Sequence, residues 1–261
     1  MSRNPFKRKN PTENEKWNIR SMFGAKLGFA QQEAYKLLRS NLMFSFADDG
    51  ACRVIGVTSA CQGEGKSSTA CNIAYAFSEV GCRVLLLEAD MRCPTIAKKL
   101  KLENAPGISN LLVKKENYKE AVQRCPQAPN MDVMTSGYTP PNPSELLCSD
   151  RMKRLIGELS ADYDYIIVDL PPVTAVSDTV AMSKLLHGVV LVVRGGFSDH
   201  RMLDEALRQL RMADLRVLGF VYRDADVSER PYHYRRNETY YKEIGGEKPE
   251  VSESKNQKDR Q

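Results

Sequence analysis

Several features are missing from this 261-residue sequence, and each absence narrows the range of functions. No apolar run approaches the length of a membrane-spanning helix, and the N-terminus lacks the apolar core of a signal peptide. The seven cysteines are odd in number and form no C-x-x-C pair, which favours reduced thiols over disulfides or a cysteine metal site. These absences predict a cytoplasmic chain.

The sequence also lacks internal repeats and any change of composition that would separate two folded domains. Its net charge of +5 is modest and concentrated at the ends, and we expect no nucleic-acid partner. The length suffices for one sizeable core. We predict a flexible N-terminal segment at 1–26, one folded domain at 27–222 and a disordered, tyrosine-rich tail at 223–261.

One stretch, residues 59–69 (SACQGEGKSST), organises the rest of the chain. An apolar, β-prone segment precedes it and apolar residues at helical spacing follow it, as in a phosphate-binding loop. The glycines let backbone N–H groups turn inward, the lysine neutralises phosphate charge, and the first serine can bind Mg²⁺. Ala60 replaces the first glycine of the usual motif. The predicted nucleotide-binding residues are Gly63, Glu64, Gly65, Lys66, Ser67 and Ser68.

Carboxylates stand at the ends of two buried, apolar strands. Glu88 and Asp90 follow one strand at a spacing that lets both side chains point the same way, and Asp169 ends another. Parallel sheets bind ligands at these carboxyl ends, and Mg²⁺ prefers oxygen ligands. We therefore predict an ATP–Mg²⁺ site, with Ser67, Asp90 and Asp169 as metal ligands and either Glu88 or Asp90 as a base.

Strands and helices alternate along the chain. Helices are predicted near 29–46, 145–159, 177–186 and 200–212, and strands at 54–58, 83–87, 131–135, 165–168, 189–193 and 217–221. The apolar stripe of the first helix consists of Ala34, Leu37, Leu38, Leu42 and Phe46. Its charged face carries Glu33, Lys36 and Arg39. The pattern predicts an α/β fold with a doubly wound, mostly parallel sheet, of the P-loop NTPase type.

The last forty residues change character, because five of the eleven tyrosines occur from Tyr222 onward among charged residues. Without an aliphatic stripe these tyrosines cannot all be buried, so their hydroxyl groups are exposed. Two acceptors for a phosphoryl group therefore remain open: water, as in a switch ATPase, or a tyrosine that the tail delivers.

These motifs together resemble the bacterial tyrosine kinases (BY-kinases) of capsule and exopolysaccharide synthesis. Residues 62–67 resemble the Walker A motif, 85–92 the Walker A′ motif and 166–171 the Walker B motif, while 140–147 (PPNPSELL) is similar to a further family stretch. The resemblance covers roughly residues 28–241.

The resemblance implies an ATP- and Mg²⁺-dependent autokinase that phosphorylates the tail of a neighbouring subunit and regulates polysaccharide synthesis and export. The phosphate acceptors it implies are Tyr232, Tyr234, Tyr240 and Tyr241. Glu33, Lys36 and Arg39 match a family motif, E-x-x-R-x-x-R, that forms contacts in a ring-shaped oligomer. The expected activator is a transmembrane adaptor of the chain-length-determinant type, which would hold the kinase at the inner face of the membrane.

Four positions depart from the family pattern. Glu88 replaces an Asp, and Lys36 replaces an Arg. Arg223 stands near the position at which many relatives carry an Asn that recognises adenine. Cys61 stands where related partitioning ATPases carry a second lysine, which argues against a switch ATPase of that type. A further alternative is a nucleotide-binding assembly subunit in which Glu88 has removed catalysis.

Overall fold

The computed structural model describes residues 23–46, 50–114 and 117–224, so the four predicted tail acceptors lie outside the described residues. The helices are α1 (Phe29–Phe44), α2 (Lys66–Ser78), α3 (Ile96–Leu100), α4 (Ile108–Val113), α5 (Pro143–Leu147), α6 (Asp150–Asp162), α7 (Asp178–Ala181) and α8 (His200–Met212). The strands are β1 (Arg53–Ser59), β2 (Val84–Glu88), β3 (Val122–Arg124), β4 (Met131–Met134), β5 (Tyr165–Asp169), β6 (Gly188–Arg194) and β7 (Val217–Arg223).

The seven strands form one sheet in the order β3-β4-β2-β5-β1-β6-β7. All neighbouring pairs are parallel except β3 and β4. After β1 the chain crosses to β2 on one side, and after β5 it crosses to β6 on the other. This reversal lies beside the carboxyl end of β1, the place where open α/β sheets bind ligands.

The apolar residues of the strands divide between two core layers because side chains alternate across a strand. On one face Ile55 and Val57 pack with α1, α2 and α3, and on the other face Val54 packs with residues of α4, α6 and α8. A sheet covered on both faces explains why its strands are continuously apolar. The prediction of a doubly wound, mostly parallel α/β fold is confirmed.

The predicted elements differ from the structure in four places. The helix predicted at 145–159 is two helices, because the Ser149 side chain caps a new start by accepting a hydrogen bond from the Met152 N–H. The helix predicted at 177–186 is the short helix α7 followed by a 3-10 turn at Ser183–Leu185. The region 94–130, where no strand is predicted, contains the antiparallel strand β3. Leu37, assigned to the apolar stripe of α1, is 64% exposed, whereas Leu42 is buried.

The longest helix described is α1, with 16 residues. Within the described ranges, no helix has both the length and the apolar character needed to cross a membrane.

Candidate active site

The phosphate-binding loop connects β1 to α2 at the switch point of the sheet. Gly63 and Gly65 have φ angles of 89° and 94°, which side chains with a Cβ rarely adopt. A Cβ on Gly65 would also lie 1.5 Å from the Arg223 Nη1 atom. The loop therefore requires glycine at position 65, directly before the first residue of α2.

The side chain of Glu64 braces this loop from inside the protein. It is 1% exposed, and its Oε2 atom accepts a hydrogen bond from the Cys61 N–H at 2.8 Å. Its Oε1 atom accepts a hydrogen bond from the Ser198 hydroxyl, which lies just before α8. A role for Glu64 in nucleotide binding thus falls to its backbone, while its carboxylate holds the loop in shape.

The register of the sheet brings Asp169 and Asp90 together. Glu88 pairs with Asp169 across β2 and β5, and the N–H groups of Ala89 and Asp90 both donate to the Asp169 carbonyl, at 2.9 and 3.1 Å. On the other side Asp169 pairs with Val57 of β1, two residues before the loop begins. Both carboxylates consequently lie beside the start of α2.

Lys66 sits between these two acids. Its Nζ atom is 2.6 Å from Asp90 Oδ2, 3.6 Å from Asp169 Oδ1 and 3.4 Å from Ser67 Oγ. Burial lowers the pKa of Lys66, but Asp169 and Asp90 outweigh burial and the pKa ends above its ordinary value. The lysine is therefore cationic, as a phosphate ligand must be.

Asp169 is fully buried, and neither of its carboxylate oxygens has a hydrogen-bond partner. Burial raises its pKa to about 6, although the nearby Lys66 charge opposes the shift. A buried carboxylate with free lone pairs, beside the Ser67 hydroxyl, suits a hard divalent cation or its bound water. The oxygen donors of Asp169, Ser67 and Asp90 are of the type that Mg²⁺ prefers, and their role as its ligands stays a prediction.

Glu88 is hydrogen-bonded to a different part of the backbone from Asp90, although the two charges still act on each other and on Asp169. Its Oε1 atom accepts hydrogen bonds from the N–H groups of Thr95 and Ile96, each at 2.6 Å, and its Oε2 atom accepts one from Ser136 at 3.2 Å. Burial raises the pKa of Glu88, and these backbone hydrogen bonds oppose the shift. Of the three predicted acids, Asp90 and Asp169 form ion pairs with Lys66 in the described structure, and Glu88 does not. In the described part of the chain, no set of three His, Cys, Asp or Glu side chains gathers into a metal site.

Arg92 and Asp178 form a contact that sequence reasoning missed. The guanidinium donates to both carboxylate oxygens of the fully buried Asp178, at 2.9 and 3.0 Å, and also reaches the Ser144 hydroxyl at 3.3 Å. The pair joins the chain just after Asp90 to α7, and Ser144 joins both to the start of α5. The Arg that follows Asp90 by two positions was the only sequence signal for this contact.

Two further arginines lie on the phosphate loop. Arg194 donates to the Gly63 carbonyl at 3.3 Å, forms an ion pair with Asp224 at 2.6 Å and stacks over the Phe197 ring. Arg223 donates to the Gly65 carbonyl at 3.3 Å. Arg223 therefore contacts the loop itself, and the residue at this position is an arginine rather than an asparagine.

The predicted residues on α1 and the second serine of the phosphate loop all have partners within the chain. Ser68 is part of α2, and its carbonyl accepts a hydrogen bond from Asn72. On α1, Glu33 and Lys36 form an ion pair with each other at 2.7 Å, and Arg39 donates to the Ala76 carbonyl of α2 at 2.9 Å. These contacts are all within one chain, so the oligomer role of the three α1 residues stays a prediction.

Comparisons with known proteins identify the family of this chain. A family profile described as "AAA domain" matches residues 52–194, which is more than half of the chain. The tyrosine-protein kinase YwqD of Bacillus subtilis (strain 168) is 39% identical over 197 residues, covering 76% of this chain and 82% of that protein. The putative tyrosine-protein kinase CapB of Staphylococcus aureus is 32% identical over 202 residues, covering 77% and 88%.

Among solved structures, the crystal structure of the chimerical protein CapA2B2 is similar with a TM-score of 0.69 and 34% identity. The match covers 73% of this chain and 83% of that chain. Fold, phosphate loop and relatives point to one family, and the chain belongs to the bacterial tyrosine kinases (BY-kinases).

Proposed function

We propose that this chain is an ATP- and Mg²⁺-dependent protein-tyrosine autokinase that phosphorylates its own C-terminal tyrosines in trans and thereby regulates capsule or exopolysaccharide synthesis and export. The observation that carries the proposal is the buried cluster of Lys66, Asp90 and Asp169 beside the phosphate loop. It combines a cation for the phosphates with carboxylates for a metal and for a proton. The kinase names of the relatives support tyrosine as the acceptor.

The proposal assigns tasks to the individual residues of the site, and Asp90 has two of them. The backbone of residues 63–68 holds the phosphates, and Lys66 moves from Asp90 to the β- and γ-phosphates when ATP binds. Ser67, Asp169 and Asp90 would hold Mg²⁺, and the ion would supply charge neutralisation during transfer. The sheet and the hydrogen bonds that hold the loop keep these groups in place. Phosphoryl transfer requires little beyond such positioning and the neutralisation of charge.

We assign the base to Asp90 rather than Glu88. The carboxylate of Glu88 already accepts three backbone hydrogen bonds, so it has little capacity for a tyrosine proton. Asp90 is held through Oδ1 by the Cys93 N–H at 3.1 Å, and its Oδ2 atom becomes free once Lys66 turns to the phosphates. Glu88 instead fixes the segment after β2 and the loop after β4.

The partners and location belong to the same proposal. A transmembrane adaptor of the chain-length-determinant type would activate the kinase and keep it at the inner face of the membrane. The similarity to a chimerical CapA2B2 protein supports an adaptor of this kind. A ring of subunits would bring the tail tyrosines of one chain to the site of the next, with Glu33, Lys36 and Arg39 at the contact.

Lys66→Met tests the function directly. We expect it to abolish phosphotyrosine on the purified chain, because Lys66 is the only cation among the described residues that pairs with both carboxylates. Intact-mass spectrometry after incubation with ATP–Mg²⁺ and a peptide copy of the adaptor tail measures the phosphates added. Lys153→Ala, on the exposed face of α6, is the control. Phosphotyrosine retained in the Met variant would refute the assignment.

A further inference from the structure

A second concave site lies away from the phosphate loop, between the segment before α1, the helix α2 and the helix α3. Its volume is about 350 Å³. Its lining includes four lysines and two aromatic residues: Lys26, Lys98, Lys99, Lys101, Phe23 and Tyr75. Among the described residues that line it there is no carboxylate, and Glu79 interacts with Tyr75 from outside the lining.

The lysines reach this cavity from two separate parts of the chain. Lys26 ends a short 3-10 turn before α1, whereas the other three come from α3 and the residue after it. Within the described residues, none of the four forms an ion pair with a carboxylate. Like charges that converge without a counter-charge repel one another, and an anion bound among them would relieve that repulsion.

The aromatic wall gives the site a second chemical preference. Phe23 and Tyr75 meet edge to face, with ring centroids 5.4 Å apart. The Gly24 N–H, next to Phe23, donates to the Asn72 side chain of α2 at 2.9 Å, which anchors this wall. Such a wall accepts another aromatic ring in a stacked or edge-on arrangement. The site therefore combines cations for a dianion with an apolar surface for a ring.

We propose that this cavity, here called the lysine pocket, binds a phosphotyrosine of the C-terminal tail. A phosphotyrosine is a phosphate dianion on an aromatic ring, and it matches both preferences of the pocket. The inference rests on the proposed function, since the tail tyrosines must first be phosphorylated. It adds a docking site for the product of the reaction, separate from the catalytic centre.

The spacing of the tail fits a pocket at this place. Tyr75 follows Lys66 by nine residues in α2, which is about 14 Å along the helix axis. Tyr234 and Tyr240 are six positions apart, and an extended chain of that length spans at most about 20 Å. A six-residue segment is therefore longer than the axial distance between the positions on α2 that border the lysine pocket and the phosphate loop.

The test measures binding without any kinase reaction. The probes are fluorescent peptides that copy residues 228–245, one with phosphotyrosine at Tyr240 and Tyr241 and one without phosphate. The protein is the full chain, which is first treated with phosphatase. The phosphatase is then removed, and no ATP is added. We expect the phosphorylated peptide to bind at least tenfold more tightly than the unmodified peptide, with an affinity that falls as salt rises.

The double variant Lys98→Ala/Lys101→Ala should weaken the phosphopeptide at least tenfold. Lys153→Ala/Lys184→Ala removes the same charge from exposed positions outside the pocket and should change binding less than twofold. Both variants should bind a fluorescent ADP analogue as the unmodified chain does, which shows that they are folded. Equal affinity for the two peptides, or equal losses in the two double variants, would overturn the proposal.

Two competing outcomes are distinguished in the same experiment. Displacement of the phosphopeptide by saturating ADP would place it in the catalytic site and overturn the inference. Loss of binding to phosphatidylserine vesicles in Lys98→Ala/Lys101→Ala, with phosphopeptide binding unchanged, would assign the lysines to a membrane surface instead. The binding experiment involves no phosphate transfer, so a chain without kinase activity can still bind the peptide. A failure of the docking inference can therefore be told apart from a failure of the proposed kinase activity.

Discussion

Replacing Glu88 by Gln separates a structural carboxylate from a catalytic one. Glu88 is fully buried and accepts three backbone hydrogen bonds, two through Oε1 and one through Oε2. A Gln side chain keeps one carbonyl oxygen for Thr95 and Ile96, but its amide group would face the Ser136 N–H donor to donor. The variant therefore loses structure at the end of β2 and keeps Asp90 in place.

The size of the effect follows from that single mismatch. A buried N–H left without an acceptor costs about 1–3 kcal/mol. Removing a buried negative charge returns part of the cost, because burial already raises the pKa of Glu88. For a folded domain of this size, a loss of about 1–3 kcal/mol lowers the melting temperature by roughly 2–12 °C.

The assay compares Glu88→Gln with Asp90→Asn, a matched loss of one carboxylate charge. Thermal unfolding gives the stability of each purified variant, and intact-mass spectrometry gives the rate of phosphate addition below the melting range. We expect Glu88→Gln to melt earlier and to keep a rate within about tenfold of the unmodified chain. Asp90→Asn should lose about 10²–10⁴ in rate, the usual contribution of a general base. A Glu88→Gln chain that melts normally and transfers no phosphate would refute the reasoning.

Two further predictions concern the phosphate loop and pH. Gly65→Ala should weaken ATP binding about five- to thirtyfold by calorimetry, because a left-handed φ of 94° costs an Ala residue about 1–2 kcal/mol. Gly157→Ala on α6, where nothing lies within 4 Å of the added Cβ, is the control and should bind ATP normally. The pKa of Asp169 is raised to about 6, so its ionised fraction, and with it the Mg²⁺-dependent affinity for ADP, should fall about tenfold from pH 7 to pH 5. Asp169→Asn should flatten this profile, and an unchanged profile in that variant would assign the titration to another group.

The sequence located the phosphate loop and its strands well because both are encoded locally. The loop needs glycines and a lysine at fixed spacing between an apolar strand and an amphipathic helix, and residues 54–77 carry all of these. Buried parallel strands are continuously apolar, so β1, β2, β5 and β6 were recognisable without their neighbours. The helix α8 was predicted with the bounds it has in the structure.

Other elements could not be read in this way. The strand β3 has only three residues and exists through its pairing with β4, so its own sequence has no alternation to detect. The helix α1 was correctly predicted, but its exposed Leu37 showed that an apolar stripe alone does not reveal which side meets the core. The orientation of a helix depends on what packs against it, here α2.

The sequence by itself determined the fold class, the phosphate loop and the identity of the acids at the strand ends, because these depend on residue type and short-range spacing. Only the tertiary structure decided which of these acids meet Lys66 and which one binds backbone N–H groups. Asp90 and Asp169 meet Lys66 through the register of β2 and β5, while Glu88 turns to the backbone N–H groups of α3. The lysine pocket likewise joins segments more than seventy positions apart. Spacing along a chain cannot encode such meetings, since they arise only when the sheet and its helices pack.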